Sequence, residues 1–403
     1  MEPTTFEGGL TPDELERLRK LEDYEVARAR RLRSPGPKRI LALDGGGIRG
    51  ALTLGFLERL QKILRDRHGK PDLRLSDYFD LIGGTSTGSI IAGALALGHE
   101  VEKVKQDYLN LGGEVFKKHP RWKVWKKVRA RFDHRNLEAE LKKLFLDRRL
   151  DDPSVKTGLC VVTQRADTGS TWPLLNNPLL KYHKYNRDMY LRDLIRASTA
   201  APTYFAPQKL LVKRGRGEVK DQYGAFVDGG VSMANNPALQ LFLAATLKGF
   251  SLNWARGADK LLLVSVGTGY WSRKNDVDVV TNSRVWNWAM EVPSMLMEDA
   301  SWHNQTILQF LSESPTAFSI DRQIGNLAED LLTDKPALSY LRYNVLLEEE
   351  SLKKLGFDVN AAGAASLREM SEGKNRSLLA EIGAKAAAEQ ISEAHLPAAF
   401  DLR

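Results

Sequence analysis

Apolar runs of four to six residues alternate with glycine-rich turns and amphipathic stretches through much of this chain. The first run, residues 39–43, is short, continuous and aliphatic, as a buried parallel strand is. It leads into Asp44-Gly45-Gly46-Gly47-Ile48-Arg49-Gly50. Leu52, Phe56, Leu60, Ile63 and Leu64 then recur at helical spacing until His68-Gly69 stops the helix. A second unit repeats the form: an apolar run over 79–83, a tight turn at Gly84-Thr85-Ser86-Thr87-Gly88, and a helix over 87–97. The two units predict neighbouring strands of one parallel sheet. Further strands are expected at 159–164, 172–175 and 260–266, the last ending in Gly267-Thr268-Gly269. Residues 209–213 and 225–227 read as a hairpin, and Val227 runs directly into Asp228-Gly229-Gly230.

Helical patterning fills the rest. Residues 1–37 read as an appendage, a charged helical stretch broken by Ser34-Pro35-Gly36-Pro37. Its basic cluster at 28–33 is expected on a solvated face or against an anionic surface. Residues 100–150 are helical and increasingly basic, and a short helix is expected over 191–198. Past 280 the chain is helical, with Trp286, Trp288, Met290, Met295, Leu296 and Met297 forming either core or a lipid-facing lid. We divide the chain into an extension (1–37), a catalytic domain (38–350) and a helical tail (351–403) packed on or beside it.

The window 81–98 carries no charge and approaches the length of a membrane span. Five glycines and a cluster of hydroxyl residues make strand, turn and buried helix the better reading. Residues 1–20 hold no apolar stretch, so no signal peptide is expected and a cytoplasmic site, peripheral at the inner membrane, is.

Of 403 residues, 42% are hydrophobic and 27% charged, ordinary for a protein with its own core. The lone cysteine, Cys160, excludes an intrachain disulfide, and no Cys/His cluster has metal spacing. No metal or cofactor is expected. The formal charge of +8 favours anionic partners without naming one. Residues 117–135 carry nine Lys or Arg against one acid, with Trp122, Trp125 and Phe132 between them. That pattern suits a membrane-surface contact or a nucleic-acid patch, and equally a charged face whose rings pack inward.

A strand–turn–helix Gly-x-Ser-x-Gly sets a serine hydroxyl at the end of a sheet, as a nucleophile requires. Ser86 then needs a base and preorganised N–H donors for the oxyanion. None of the seven histidines lies in a strand-end glycine loop; His183 and His303 are the least poor candidates. Asp228, between an apolar strand and two glycines, is better placed, provided desolvation raises its basicity. Gly45, Gly46 and Gly47 can offer successive backbone N–H groups to an anion. No Gly-Lys-Ser/Thr follows, so this is not a P-loop, and no acidic strand end supports a dinucleotide site. Arg49 either orients the loop or holds a phosphate-bearing headgroup.

Together, the glycine loop 44–50, the elbow 84–88, Ala200-Ala201-Pro202-Thr203-Tyr204-Phe205 and Asp228-Gly229-Gly230 resemble the patatin-like phospholipases in order and spacing. The resemblance covers about residues 38–350. It implies a three-layer α/β/α sandwich with a mainly parallel central sheet. It implies lipid acyl hydrolysis by a Ser86–Asp228 dyad without histidine, with Gly84, Gly88, Gly229 and Gly230 as motif positions. It also implies an oxyanion hole at Gly45 to Gly47. Ser89 departs from relatives that carry glycine there. Membrane phospholipid is the expected partner and nucleic acid is not. Some bacterial members answer to cyclic nucleotides, so a nucleotide activator is a further expectation.

Overall fold

The computed structural model describes residues 9–116, 132–215, 218–272, 277–282, 285–320 and 323–402. Strands β1 (Lys38–Leu43), β2 (Leu81–Thr85), β3 (Gly158–Arg165), β4 (Ser170–Leu175), β5 (Gln208–Lys213), β6 (Gln222–Asp228), β7 (Leu261–Val266), β8 (Ser312–Glu313) and β9 (Leu338–Tyr343) form one sheet. Its order is β5-β6-β3-β2-β1-β7-β9-β8, with β4 beside β3. From β3 to β8 every pairing is parallel; β4, β5 and β6 pair antiparallel. β1 and β2 are parallel neighbours, as the repeated strand–turn–helix units require.

The period-two alternation of strand side chains makes three layers. Leu41 and Leu43 of β1 face one core with Phe56, Ile91 and Leu379, while Ile40 and Ala42 face the other with Leu241 and Leu252. The first core is covered by helices including Gly50–His68, Thr87–Ala96, Val101–Val115 and Arg376–Gln390. Ala238–Thr246 and the end of the long helix Val285–Phe310 cover the second. Both faces of the inner strands are therefore buried, which is why they read as unbroken apolar runs.

The N-terminal stretch departs from expectation. It folds as two helices, Pro12–Leu18 and Asp23–Leu32, each opened by a capping box. Arg28 and Arg33 are buried, not solvated. Arg33 pairs with buried Glu14 at 3.1 Å, Arg28 pairs with Asp151, and Leu32 sits in the second core. The Trp254 indole N–H donates to the Leu32 carbonyl at 2.6 Å. Arg28 thus reaches a partner far along the chain, whereas Arg33 is tied back to the first helix. The basic–aromatic stretch 117–135 lies outside the described residues up to 131; Phe132 is buried against Phe116, Tyr204 and Phe205.

Candidate active site

β2 delivers Ser86 into a left-handed backbone, φ 54° and ψ −127°. A non-glycine residue there is strained and persists only where its surroundings hold it. Here they do. The Ser86 amide donates to Ser198 Oγ at 2.9 Å, and Ser198 Oγ donates to the Val162 carbonyl at 2.6 Å. The Ser86 carbonyl accepts from Ser89 Oγ at 2.5 Å, so the Ser89 side chain ties the elbow. Gly88 packs so closely under β1 that a Cβ would lie 2.2 Å from the Leu43 carbonyl.

Asp228 reaches Ser86 by a route that parallel-sheet logic does not foresee. Its strand, β6, is antiparallel to β3. β2 pairs with β3 as far as Thr85↔Val162, and β6 continues with Asp228↔Thr163. β4 occupies the opposite edge of β3, so β2 and β6 share one edge and meet end to end. The two strand tips bring Ser86 Oγ within 2.5 Å of Asp228 Oδ2, and the hydroxyl donates. Asp228 Oδ1 accepts from the Gly230 amide at 2.8 Å. The Asp228 amide donates to Ala200 O at 3.1 Å, which ties the Ala-Ala-Pro turn to the aspartate. Asp228 is 4% exposed and Ser86 9%. Burial pushes the Asp228 carboxyl up to about 6, opposed by the bonds from Ser86 and Gly230.

The glycine loop divides its amides. Gly45 N–H donates to the Asn235 carbonyl at 3.0 Å, so it is not an available oxyanion donor. That corrects the expectation of three donors. Gly46 and Gly47 N–H donate to no protein acceptor among the described residues, and both residues line the cavity that holds Ser86. Gly47 takes φ 58° beside the Met370 carbonyl, a conformation and contact that a side chain would strain. Thr268 Oγ1, from the Gly-Thr-Gly after β7, donates to Gly45 O at 2.8 Å. Asp44 is held by both Arg342 terminal nitrogens, at 2.9 and 2.6 Å. Arg49 leans its Nε toward Gly46 O at 3.4 Å, and its guanidinium lines a second, adjoining cavity.

A cavity of about 1200 Å3 opens on the dyad. Ile90, Leu111, Val115, Phe116 and Phe205 line its apolar side, with Val292, Leu296 and Met297 from the long helix. It exceeds the roughly 300–1,000 Å3 of ordinary small-molecule sites and is lined as a hydrocarbon chain would require. His303 also lines it, but the bond recorded from Ser86 Oγ is to Asp228. His183 lies elsewhere, buried with Asp151 Oδ2 at 2.7 Å and near Glu25. Those three can be drawn around one point as metal ligands, yet Arg28 and Arg187 already neutralise the carboxylates.

Ser198, Asn235, Thr268 and Arg342 escaped the sequence reading. Only Thr268 had a signal, its strand-end Gly-Thr-Gly. The others act on residues 112 to 298 positions away, a relation that one sequence does not carry.

A family model described as patatin-like phospholipase matches residues 41–242, half of the chain. Patatin-17 of Solanum cardiophyllum is 26% identical over 272 residues, 64% of this chain and 67% of that protein. A cGAMP-activated phospholipase of Vibrio cholerae is 31% identical over 210 residues, 50% of this chain. The match spans 55% of that relative, about half its length. The crystal structure of VipD from Legionella pneumophila aligns with a TM-score of 0.32 at 12% identity, over 86% of this chain and 67% of that one.

Proposed function

Given that the chain belongs to the patatin-like phospholipase family, we propose that it is a lipid acyl hydrolase that releases fatty acids from membrane phospholipids through Ser86 and Asp228. The carrying observation is the buried 2.5 Å hydrogen bond from Ser86 Oγ to Asp228 Oδ2 at the wall of an apolar cavity.

Ser86 Oγ attacks the ester carbonyl while its proton passes to Asp228 Oδ2. A carboxylate near pKa 6 is ionised at neutral pH and more basic than an ordinary aspartate, as a general base must be. The oxyanion is received by the amides of Gly46 and Gly47, fixed in place before reaction. Asp228 returns the proton to the departing alcohol. Water then attacks the acyl–Ser86 ester with Asp228 again as base, and the fatty acid leaves. No metal or redox group enters these steps.

The cavity mouth supports action at a lipid surface. Val231, Met233, Trp288, Val292 and Leu296 are 38–63% exposed, and four of them also line the cavity. Exposed apolar side chains gathered at a site mark contact with a partner or a membrane. No helix among the described residues is long and apolar enough to cross a bilayer, so the contact is peripheral in this reading, with location at the inner membrane.

The test is lipid analysis of mixed-phospholipid vesicles after treatment. Wild type releases fatty acid, and Ser86→Ala and Asp228→Ala release none while keeping the wild-type circular dichroism spectrum. Undiminished release by Asp228→Ala overturns the dyad.

A second reading adds control. The 31% identity to a protein named as cGAMP-activated and the +8 charge favour activation by a nucleotide. Release measured with and without cGAMP decides it: a rise with the nucleotide supports activation, and equal rates remove it.

A further inference from the structure

Beside the apolar cavity lies a second one of about 640 Å3. Tyr204, Asn235, Ser294, Met297 and Met370 belong to the walls of both. The second cavity is lined differently. Tyr270, Trp271, Trp302 and Phe318 supply aromatic faces and edges. Arg49, Arg342 and Arg368 face Asp44, Glu298 and Glu369. Arg342 and Asp44 are already committed to each other in a bidentate pair. Arg49 and Arg368 bring two further positive charges to the cavity, and Glu298 and Glu369 two negative ones that both act on the Arg49 charge.

The guanidiniums are prepared for an anion. Trp271 positions both, with the Arg49 and Arg368 carbons 4.9 and 5.7 Å from its ring. Arg49 is only 7% exposed, and its buried Nη1 has no hydrogen-bond partner among the described residues. A buried donor without an acceptor is unfavourable unless a ligand supplies one. Burial lowers the Arg49 pKa to about 10, so the group is still charged at neutral pH. Arg368 Nε is spent on the Leu347 carbonyl at 2.9 Å, which fixes the side chain and leaves its terminal nitrogens. Two planar guanidiniums suit a phosphate. Glu298, Glu369 and the rings of Tyr270 and Trp302 suit a cation, through charge and through cation–π attraction. A purely anionic ligand would be met by two carboxylates.

We propose that this second cavity receives the headgroup of a zwitterionic phospholipid. The phosphate lies against Arg49 and Arg368, and the ammonium lies against Glu298, Glu369 and the aromatic faces. The acyl ester meanwhile reaches Ser86 across the shared wall. This rests on the acyl-hydrolase reading and adds the substrate class. Arg368 and the two glutamates act as specificity determinants and touch no reacting atom.

Monomeric dihexanoyl-phosphatidylcholine and dihexanoyl-phosphatidylglycerol test the idea free of surface-charge effects, with p-nitrophenyl butyrate as an ester lacking a headgroup. Wild type is expected to favour the choline lipid in kcat/KM. Arg368→Gln should lose about tenfold or more on that lipid, the worth of a charged hydrogen bond, through KM. Its turnover of p-nitrophenyl butyrate should stay unchanged, which also reports an intact fold. The Glu298→Gln/Glu369→Gln double variant should shift preference toward the glycerol lipid. Equal kcat/KM for the two lipids in wild type, with Arg368→Gln matching it on both, overturns the proposal. Should no ester be turned over at all, the hydrolase reading fails, and calorimetry of glycerophosphocholine with wild type and Arg368→Gln then decides the cavity. Binding that the variant loses upholds the headgroup site; absence of binding overturns it. cGAMP that binds tighter than glycerophosphocholine and displaces it assigns the cavity to a nucleotide and overturns the lipid source.

Discussion

Asp228 sits under two opposed demands. Deep burial makes it a stronger base, and the same burial makes its charge costly to keep. A carboxyl moved from 3.8 to about 6 weakens the folded state at neutral pH by on the order of 3 kcal/mol. The sign follows from proton linkage. Between about pH 4 and 6 the folded protein holds this proton and the unfolded chain does not. Stability contributed by Asp228 is therefore intact below about pH 4 and lost as pH rises through about 6. Asp228→Asn should melt above wild type at pH 8, with the gap closing toward pH 4, as scanning calorimetry reads. Its fatty-acid release should be abolished. The catalytic counterpart is a kcat/KM that falls below an apparent pKa near 6, since only the ionised base accepts the Ser86 proton. An activity flat from pH 5 to 8 contradicts the role.

At the scale of elements, the glycine loop and the elbow hold each other. Gly88 lies under the carbonyls of Leu43 and Asp44, where β1 becomes the loop, so the elbow bearing Ser86 and the glycine loop share one contact. Gly88→Ala puts a Cβ 2.2 Å from one carbonyl and 2.6 Å from the other. Overpacking of this kind costs about 1–3 kcal/mol. Urea denaturation should show that loss, and turnover should fall further than stability because the donors move relative to Ser86. Much of this framework was legible in the sequence. The apolar runs before residues 44 and 84 are strands because both their faces are buried, and local composition records that. The hairpin ending in Asp228 was legible too. The direction in which β6 enters the sheet was not, because strand pairing is a long-range property. The loss of Gly45 as a donor was hidden for the same reason: Asn235 reaches it from a turn between β6 and the next helix. The Trp/Met-rich stretch past 280 left core and lid undecided. In its helix, Leu308 enters the second core, while Leu296 lines the cavity and is 63% exposed.

Across the whole molecule, segments at both ends of the chain brace the site from outside it. Leu379, Ile382 and Ala386 of the helix Arg376–Gln390 enter the same core as the helix that follows the glycine loop. Near the other end, Glu14 and Arg33 form a buried pair that ties the first helix to the end of the second, whose Leu32 enters the second core. Glu14→Ala leaves Arg33 charged and buried, and breaking such a pair costs about 3–5 kcal/mol. Glu16→Ala removes only the exposed partner of Lys20 and should leave the melting temperature nearly unchanged. Thermal melts of the two variants check the contrast; equal losses would show that residues 12–33 are not part of the folded body.

The central claim is that Ser86 carries the acyl group and Asp228 makes it able to. Rapid-quench intact-mass spectrometry with peptide mapping, after mixing with dihexanoyl-phosphatidylcholine, tests both halves at once. The prediction is a hexanoyl increment confined to the peptide bearing Ser86 in wild type, and none in Ser86→Ala or Asp228→Asn. An increment on another residue, or unimpaired acylation in Asp228→Asn, would contradict it.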